Sequence, residues 1–351
     1  MNNGLEGVVA AETRLSMVEG ERGELVIGGY RVEELSNATF ERTVSLLWGV
    51  AGFDGELKTM PLPPRTGALL RSAAEARVEV MDALRMAVAT LHANDDGEAA
   101  RLLVGSCPTI VATYWRLLHD REPLEPRADL GFAANYLYML TGSVPHEELV
   151  RGLETYLNTV VDHGLNASTF AARVIASTGS DFVSAITGAI GALKGPLHGG
   201  APGPALDMVF EIGDLARAEE VLQRKIAAGE RLMGFGHRVY KVRDPRADVL
   251  AAAAARMFTR AGDMHLYDLA RGVEQVALRL LEAHKPGRKL QTNVEFYTAL
   301  LLHGLGLEVP LFTPTFAIGR VAGWTAHCFE QRRVGRIIRP QSVYVGAMPV
   351  G

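Results

Sequence analysis

The segment FVSAITGAIGAL, residues 182–193, carries no charged side chain. Read as a helix it is apolar nearly all round, so most of its surface must be buried. It is too short to cross a bilayer, which takes roughly 20 apolar residues. A chain containing it needs a large interior built from other helices, and the rest of the 351 residues offers them. ERTVSLLWGV (41–50) and RVEVMDALRMAVATL (77–91) repeat apolar positions every three or four residues. PHEELVRGLETYLNTVVDHG (145–164) opens with Pro145, places Glu147 and Glu148 in its first turn and reaches a stop at Gly164. DPRADVLAAAAARMFTRAG (244–262) and HLYDLARGVEQVALRLLEAHKPG (265–287) are amphipathic. Strand signals are few: GELVIGGYRV (23–32) suits a hairpin and VYVG (343–346) a short extended tail. The expected fold class is all-α, with 48% apolar residues to fill the core. There is no repeat and no low-complexity linker. A second domain would be inserted without a compositional seam, with crossings expected at 195–203 and 304–310.

Charge and cysteine content narrow the function. A net charge of −4 gives no support for nucleic-acid binding. Two cysteines, Cys107 and Cys328, are too few for a disulfide framework or a cysteine metal site, and suit a reducing cytoplasm. Glu6, Glu12, Glu19 and Glu21 near the start, with no long apolar run, argue against a secretory signal and against a membrane protein.

Ten histidines are present. His92, His119, His146, His265, His284, His303 and His327 fall on helices or helix ends, where a surface or packing role suffices. Three lie elsewhere. His163 precedes GLNAST, His198 sits in the glycine- and proline-rich GPLHGGAPG (195–203), and His237 follows Gly-Phe-Gly in MGFGHRVYK (233–241). GPLHGGAPG is a poor helix and a poor strand. Each of the three histidines has a plain reading, a ring satisfied by turn backbone. Together they fit a site carried on loops of a rigid scaffold. There is no HExxH, no G-x-S-x-G elbow and no GK[ST] P-loop. Three dispersed histidines remain able to bind zinc. Arg238, Lys241 and Arg246 follow His237, Arg320 lies in the apolar FAIGRVAGW, and Arg339 in RIIRPQSVYVG. Arginine is the fork-shaped partner of carboxylates. Glu295, in TNVEFYTALLLHGLG, opens an apolar helix, where the helix dipole alone would favour it.

Ordered along the chain, these segments resemble the citrate synthase family, including 2-methylcitrate synthases. The resemblance runs through GLEGVVAAETRLSMVEGERGELVIGGY, HGLNASTFAARV, GALKGPLHGGA, MGFGHRVYKVRDPRADVL, NVEFYTALLL, FAIGRVAGWTAHCFEQ and RIIRPQSVYVG. It implies an all-helical homodimer: a large domain over 1–199 and 306–351, and a small inserted domain over 200–305 that closes on substrate. It implies a transferase of the tricarboxylic acid cycle that condenses oxaloacetate with acetyl-CoA. The thioester of coenzyme A is then a substrate, and neither a metal nor another cofactor is needed. His198 takes the place of the histidine that hydrogen-bonds the thioester oxygen, and His237 that of the one that binds and protonates the ketone. His163, Asn166, Arg246 and Arg320 fall at the oxaloacetate contacts, and Arg339 at the arginine a partner subunit contributes. Lys241, with Arg238, falls at the basic contacts to coenzyme A.

The chain departs from the family pattern twice. The family base is an aspartate in N-V-D-[FAH], and Glu295 stands there. The family also commonly reads H-G-G-A-N-E, where this chain has HGGAPG, with Pro202 and Gly203 in place of an amide and an acid. Both departures lie on the acyl-CoA side. They leave open a citrate synthase with an adapted base, a propionyl-CoA-using 2-methylcitrate synthase, a weakly active or inactive paralogue with a binding or regulatory role, and a metal hydrolase using the three histidines.

Overall fold

The computed structural model describes residues 4–5, 7–199, 202–237 and 239–349. Near the start lies a small antiparallel meander of β1 (Ser16–Glu19), β2 (Glu24–Ile27) and β3 (Tyr30–Arg31). Ser16 pairs with Ile27 and Glu19 with Glu24, then Val26 with Arg31. The hairpin expected within 23–32 is thus β2 and β3, and β1 is an addition to it. The expected extended tail at 343–346 is exposed and forms no strand.

Everything else that is regular among the described residues is helical. The first helices are α1 (Val32–Leu35), α2 (Phe40–Ala51), α3 (Pro64–Glu75), α4 (Val80–Val88), α5 (Asp96–Leu118) and α6 (Phe132–Thr141). Then come α7 (Glu147–Val160), α8 (Ala167–Ser177), α9 (Phe182–Leu193), α10 (Pro202–Ile212) and α11 (Ala218–Ala227). The last are α12 (Pro245–Ala261), α13 (His265–His284), α14 (Val294–Gly304) and α15 (Phe312–Val334). The all-α class read from the sequence holds.

Helix α15 is the axis of the core. It packs on α2, α5, α7, α8 and α9. Glycine makes its closest approaches possible. A Cβ on Gly323 would sit 2.1 Å from the Val161 carbonyl oxygen, and one on Gly319 would sit 3.0 Å from the Val160 side chain. Only a residue without a side chain lets α15 lie this close to the end of α7. Helix α12 packs on α7 and α14, α10 on α14, and α11 on α13. Cys107 and Cys328 are buried free thiols.

Three local expectations change. Helix α9 is not buried all round, because Ser184 and Gly191 face outward, and the smallness of those residues hid a solvent face within an apolar run. Helix α7 ends at Val160 rather than at Gly164. Asp162, two residues on, bonds to Ser16 and His327 and draws the chain out of the helix before left-handed Gly164 (φ 61°). The loop around His198 is shorter than expected, since Pro202 opens α10. First-turn positions have no intrahelical N–H bond to lose, so Pro202 and Pro204 are compatible with that turn.

Candidate active site

The ends of α7, α8, α12, α14 and α15 surround a cavity of about 420 Å³. Its wall contains His163, Asn166, His198, His237, Arg246, Glu295 and Arg320. These residues span more than 150 positions of sequence, and the fold brings them to one place. Arg339 is exposed in the chain after α15 and does not line this cavity. Lys241 is exposed beside it, with its backbone N–H on the Gly20 carbonyl (2.9 Å). Arg238 lies outside the described residues. Among the described residues no three His, Cys, Asp or Glu side chains converge as a metal-ion set.

His237 is fixed through one ring nitrogen. Its Nδ1 accepts the backbone N–H groups of Val239 (3.0 Å) and Tyr240 (3.1 Å). Nδ1 is therefore bare and Nε2 carries the hydrogen. Burial, then the charge of Arg246, lowers His237 to about 4, so the ring is neutral. Nε2 lies 3.4 Å from Arg246 Nη2. Both groups are donors and do not satisfy one another, so a single acceptor oxygen could take a hydrogen bond from each.

Arg246 is fully enclosed and paired at home. Its Nε and Nη2 meet the two oxygens of Asp244 at 3.0 and 2.8 Å. Asp244 also caps α12 through the Arg246 backbone N–H (3.0 Å), so one carboxylate sets both the helix start and the guanidinium. Arg320 is placed differently. Its Nε donates to the Val160 carbonyl (2.6 Å), an α7 end brought close by Gly319 and Gly323, and its guanidinium lies over the Phe316 ring. No acidic side chain hydrogen-bonds to it among the described residues. Burial brings it down to about 10, opposed by the charge of Asp162. Both arginines line the cavity. His163 reaches Tyr240 Oη (3.2 Å) and stands edge-on to His237. Burial and then the Arg246 charge hold it well below the usual histidine range.

His198 lies on the opposite side, on the turn after α9. Its Nε2 is 2.7 Å from Ser168 Oγ, which in turn reaches Asn166 Oδ1 (2.8 Å) and accepts from Trp324 Nε1 (3.2 Å). The serine has one hydroxyl hydrogen and two acceptors within reach. Asn166 Oδ1 is already engaged as the α8 cap by Thr169 N–H (3.1 Å). Burial, followed by Arg320, lowers His198 to about 4. Glu295 stands in the first turn of α14, where Asn293 caps the Glu295 backbone N–H (3.1 Å). Burial raises its carboxyl above the ordinary range, and Arg246 opposes that shift.

Several contributors were not singled out in the sequence. Asp244 had a signal, an acid directly before Pro245 at a helix start. Ser168 and Tyr240 lay inside quoted motifs without a distinguishing mark. His327, expected as a plain packing residue, is fully buried in a polar network. Its Nε2 donates to Asp162 (3.1 Å) and its Nδ1 accepts from Arg173 (3.0 Å), which also pairs with Glu330 (2.6 Å). Asp162 immediately precedes His163, so this network backs the cavity wall.

The family model for "Citrate synthase, C-terminal domain" matches residues 4–341. The citrate synthase of Haloferax volcanii is 37% identical over 99% of this chain and 96% of its own. The 2-methylcitrate synthase of Mycobacterium tuberculosis is 37% identical over 99% of this chain and 91% of its own. Among solved structures, the ternary complex of the Thermoplasma acidophilum citrate synthase with carboxymethyl coenzyme A and oxaloacetate superposes with a TM-score of 0.87. It is 30% identical and covers 100% of this chain and 97% of that one. With a matching family model, relatives along the whole length and the same fold, this chain belongs to the citrate synthase family and is an enzyme of the citrate synthase type.

Proposed function

We propose that the enzyme condenses acetyl-CoA with oxaloacetate and hydrolyses the product thioester to citrate and coenzyme A. The observation that carries this is the convergence of a carboxylate, two neutral histidines and two buried arginines on one cavity. Oxaloacetate is a dianion with a ketone. Its carboxylates take Arg246 and Arg320, with His163 and Asn166 alongside. Its ketone oxygen takes the position between His237 Nε2–H and Arg246.

The acetyl methyl is a very weak carbon acid. Glu295 removes its proton while His198 donates to the thioester oxygen, so charge does not build up unassisted. For that task Ser168 donates to His198 Nε2, which leaves the ring hydrogen on Nδ1. The enol carbon attacks the ketone, a carbon–carbon bond forms, and His237 gives its Nε2 proton to the ketone oxygen. The proton taken up by Glu295 is released to solvent and His237 regains one from solvent, so both return to their starting state as the thioester is hydrolysed. Water then cleaves the thioester. Arg339 is proposed to reach the site of a partner subunit in a homodimer, and Lys241 with Arg238 to meet coenzyme A. The proposed domains are 1–199 with 306–351, and 200–305. The enzyme is proposed to be cytoplasmic and to need no metal. No single described helix is long and apolar enough to cross a membrane.

A second reading is condensation of propionyl-CoA to 2-methylcitrate, supported by a 2-methylcitrate synthase of equal identity among the relatives. A thiol-release assay with acetyl-CoA and propionyl-CoA, each with and without oxaloacetate, separates the two. The expected result is oxaloacetate-dependent release, faster with acetyl-CoA. Faster release with propionyl-CoA favours the second reading. No release with either overturns both.

A further inference from the structure

Behind the cavity, outside its lining, α13 carries a buried acid. Glu274 is 4% exposed and takes no part in the chemistry above. Its Oε1 accepts from Arg243 Nη1 (2.5 Å) and Thr292 Oγ1 (2.6 Å), and its Oε2 accepts from Tyr297 Oη (2.5 Å). Arg243 lies three residues before Arg246, and Thr292 three residues before Glu295. One carboxylate therefore grips the approach to both residues, on two segments far apart in sequence. We propose that Glu274 is a positioning residue: it fixes the distance between the segment that carries Glu295 and the segment that carries Arg246. This rests on the reaction proposed above.

Helices α12 and α14 also pack on each other, which holds the two segments together without direction, and the other hydrogen-bonded link between them is weaker. The direct backbone contact, Asp244 N–H to the Thr292 carbonyl, is long at 3.4 Å. Stronger backbone bonds, Gly236 N–H to Gln291 (2.7 Å) and Asn293 N–H to Gly234 (3.0 Å), tie Glu295's segment to His237's and leave 243–246 aside. Charge-assisted bonds of the kind Glu274 makes are shorter and roughly twice as strong as neutral ones. Stability alone does not call for the acid, because a buried ionic cluster is often replaceable by apolar side chains at no loss. What an apolar replacement lacks is direction: three donors from three places converge on two oxygens.

The test uses the full-length enzyme and three variants, Glu274→Gln, Thr292→Val and Arg243→Met, each measured well below its melting temperature. Thiol release gives kcat, and calorimetric titration gives the oxaloacetate Kd. Thr292→Val frees the Glu295 side only and should lower kcat by about tenfold or more, with Kd within about twofold, since a misplacement of about 1 Å costs on the order of 10²-fold. Arg243→Met frees the Arg246 side and should raise Kd roughly tenfold, with a smaller change in kcat. Glu274→Gln should do both, and if it fails to fold the other two carry the test. Parent values of kcat and Kd in the folded variants overturn the proposal. So does a loss of both that merely follows the drop in melting temperature, without the split. A parent enzyme that releases no thiol overturns the proposed reaction and this inference with it, whereas an active parent with silent variants overturns this inference alone.

Discussion

The two sides of the cavity are built to different standards. On the arginine side every functional group is over-determined. Arg246 is clamped by Asp244, Arg320 by the Val160 carbonyl, and His237 by two backbone N–H groups. On the acyl side Glu295 has a capped backbone, but among the described residues its carboxylate hydrogen-bonds to no other side chain and leans only on its own backbone N–H. His198 relies on Ser168, and its neighbour Leu197 is 89% exposed. A dianion is bound by fixed charge, which costs little when prebuilt. Proton removal from carbon needs a base free of competing donors, because each bond to a carboxylate weakens it as a base. If Glu295 is the proposed base, the sparse bonding around its carboxylate serves that task.

That contrast is open to attack by substitution. The largest effect is expected from Glu295→Gln, which keeps the shape and removes the proposed base. Turnover should fall by about 10²–10⁴-fold while oxaloacetate titrates as in the parent. Arg246→Ala attacks the other side. It leaves Asp244 buried without its partner, which costs about 3–5 kcal/mol of stability, and it should abolish oxaloacetate binding. Replacing both as Asp244→Asn with Arg246→Ala should recover part of the melting temperature but none of the binding. A single variant as stable as the parent would show that the pair is not an obligate unit.

The pH dependence sharpens the comparison. Burial raises Glu295, so its basic form is lost as pH falls through a value above the ordinary glutamate range of about 4.3. The acid limb of kcat/KM should lie above that range and move down in Glu295→Asp if the shorter carboxylate is better solvated. His198 and His237 carry lowered values of about 4 against 6.5 when unfolded. The unfolded chain binds their protons first, so stability is full above about 6.5 and declines as pH drops towards about 4. Melting curves at pH 5 and pH 8 should differ less for His237→Asn than for the parent. The smallest effect is expected from Ser168→Ala, a loss of one hydrogen bond and roughly a fivefold fall in kcat with oxaloacetate binding unchanged.

Much of this was readable in the sequence where the signal is local. Helix α12 announces itself with Asp244, Pro245 and left-handed Gly262, and α14 with Asn293. The three loop histidines stood out against helical surroundings, and the structure gathers them with Arg246, Arg320 and Glu295 around one cavity. What stayed hidden depends on partners distant in sequence. Asp162 bonds to His327 across 165 residues and to Ser16 across 146, and no periodicity encodes such a pair. Gly319 and Gly323 carry no mark in the sequence, and their use appears only when α7 lies against them. Glu274 read as one more polar position on an amphipathic helix. Exposed Ser184 and Gly191 were invisible because small residues make a solvent face look apolar.

The role of Glu295 is tested most directly by hydrogen exchange at the acetyl methyl. The enzyme is loaded with an unreactive hydroxy-acid analogue of oxaloacetate, so that the arginine side is filled and condensation cannot follow. Acetyl-CoA is then incubated in deuterium oxide and its methyl group is analysed by mass. The expected result is deuterium uptake in the parent enzyme and none above the buffer rate in Glu295→Gln. Equal uptake by both would show that another group removes the proton and that Glu295 is only a first-turn acid.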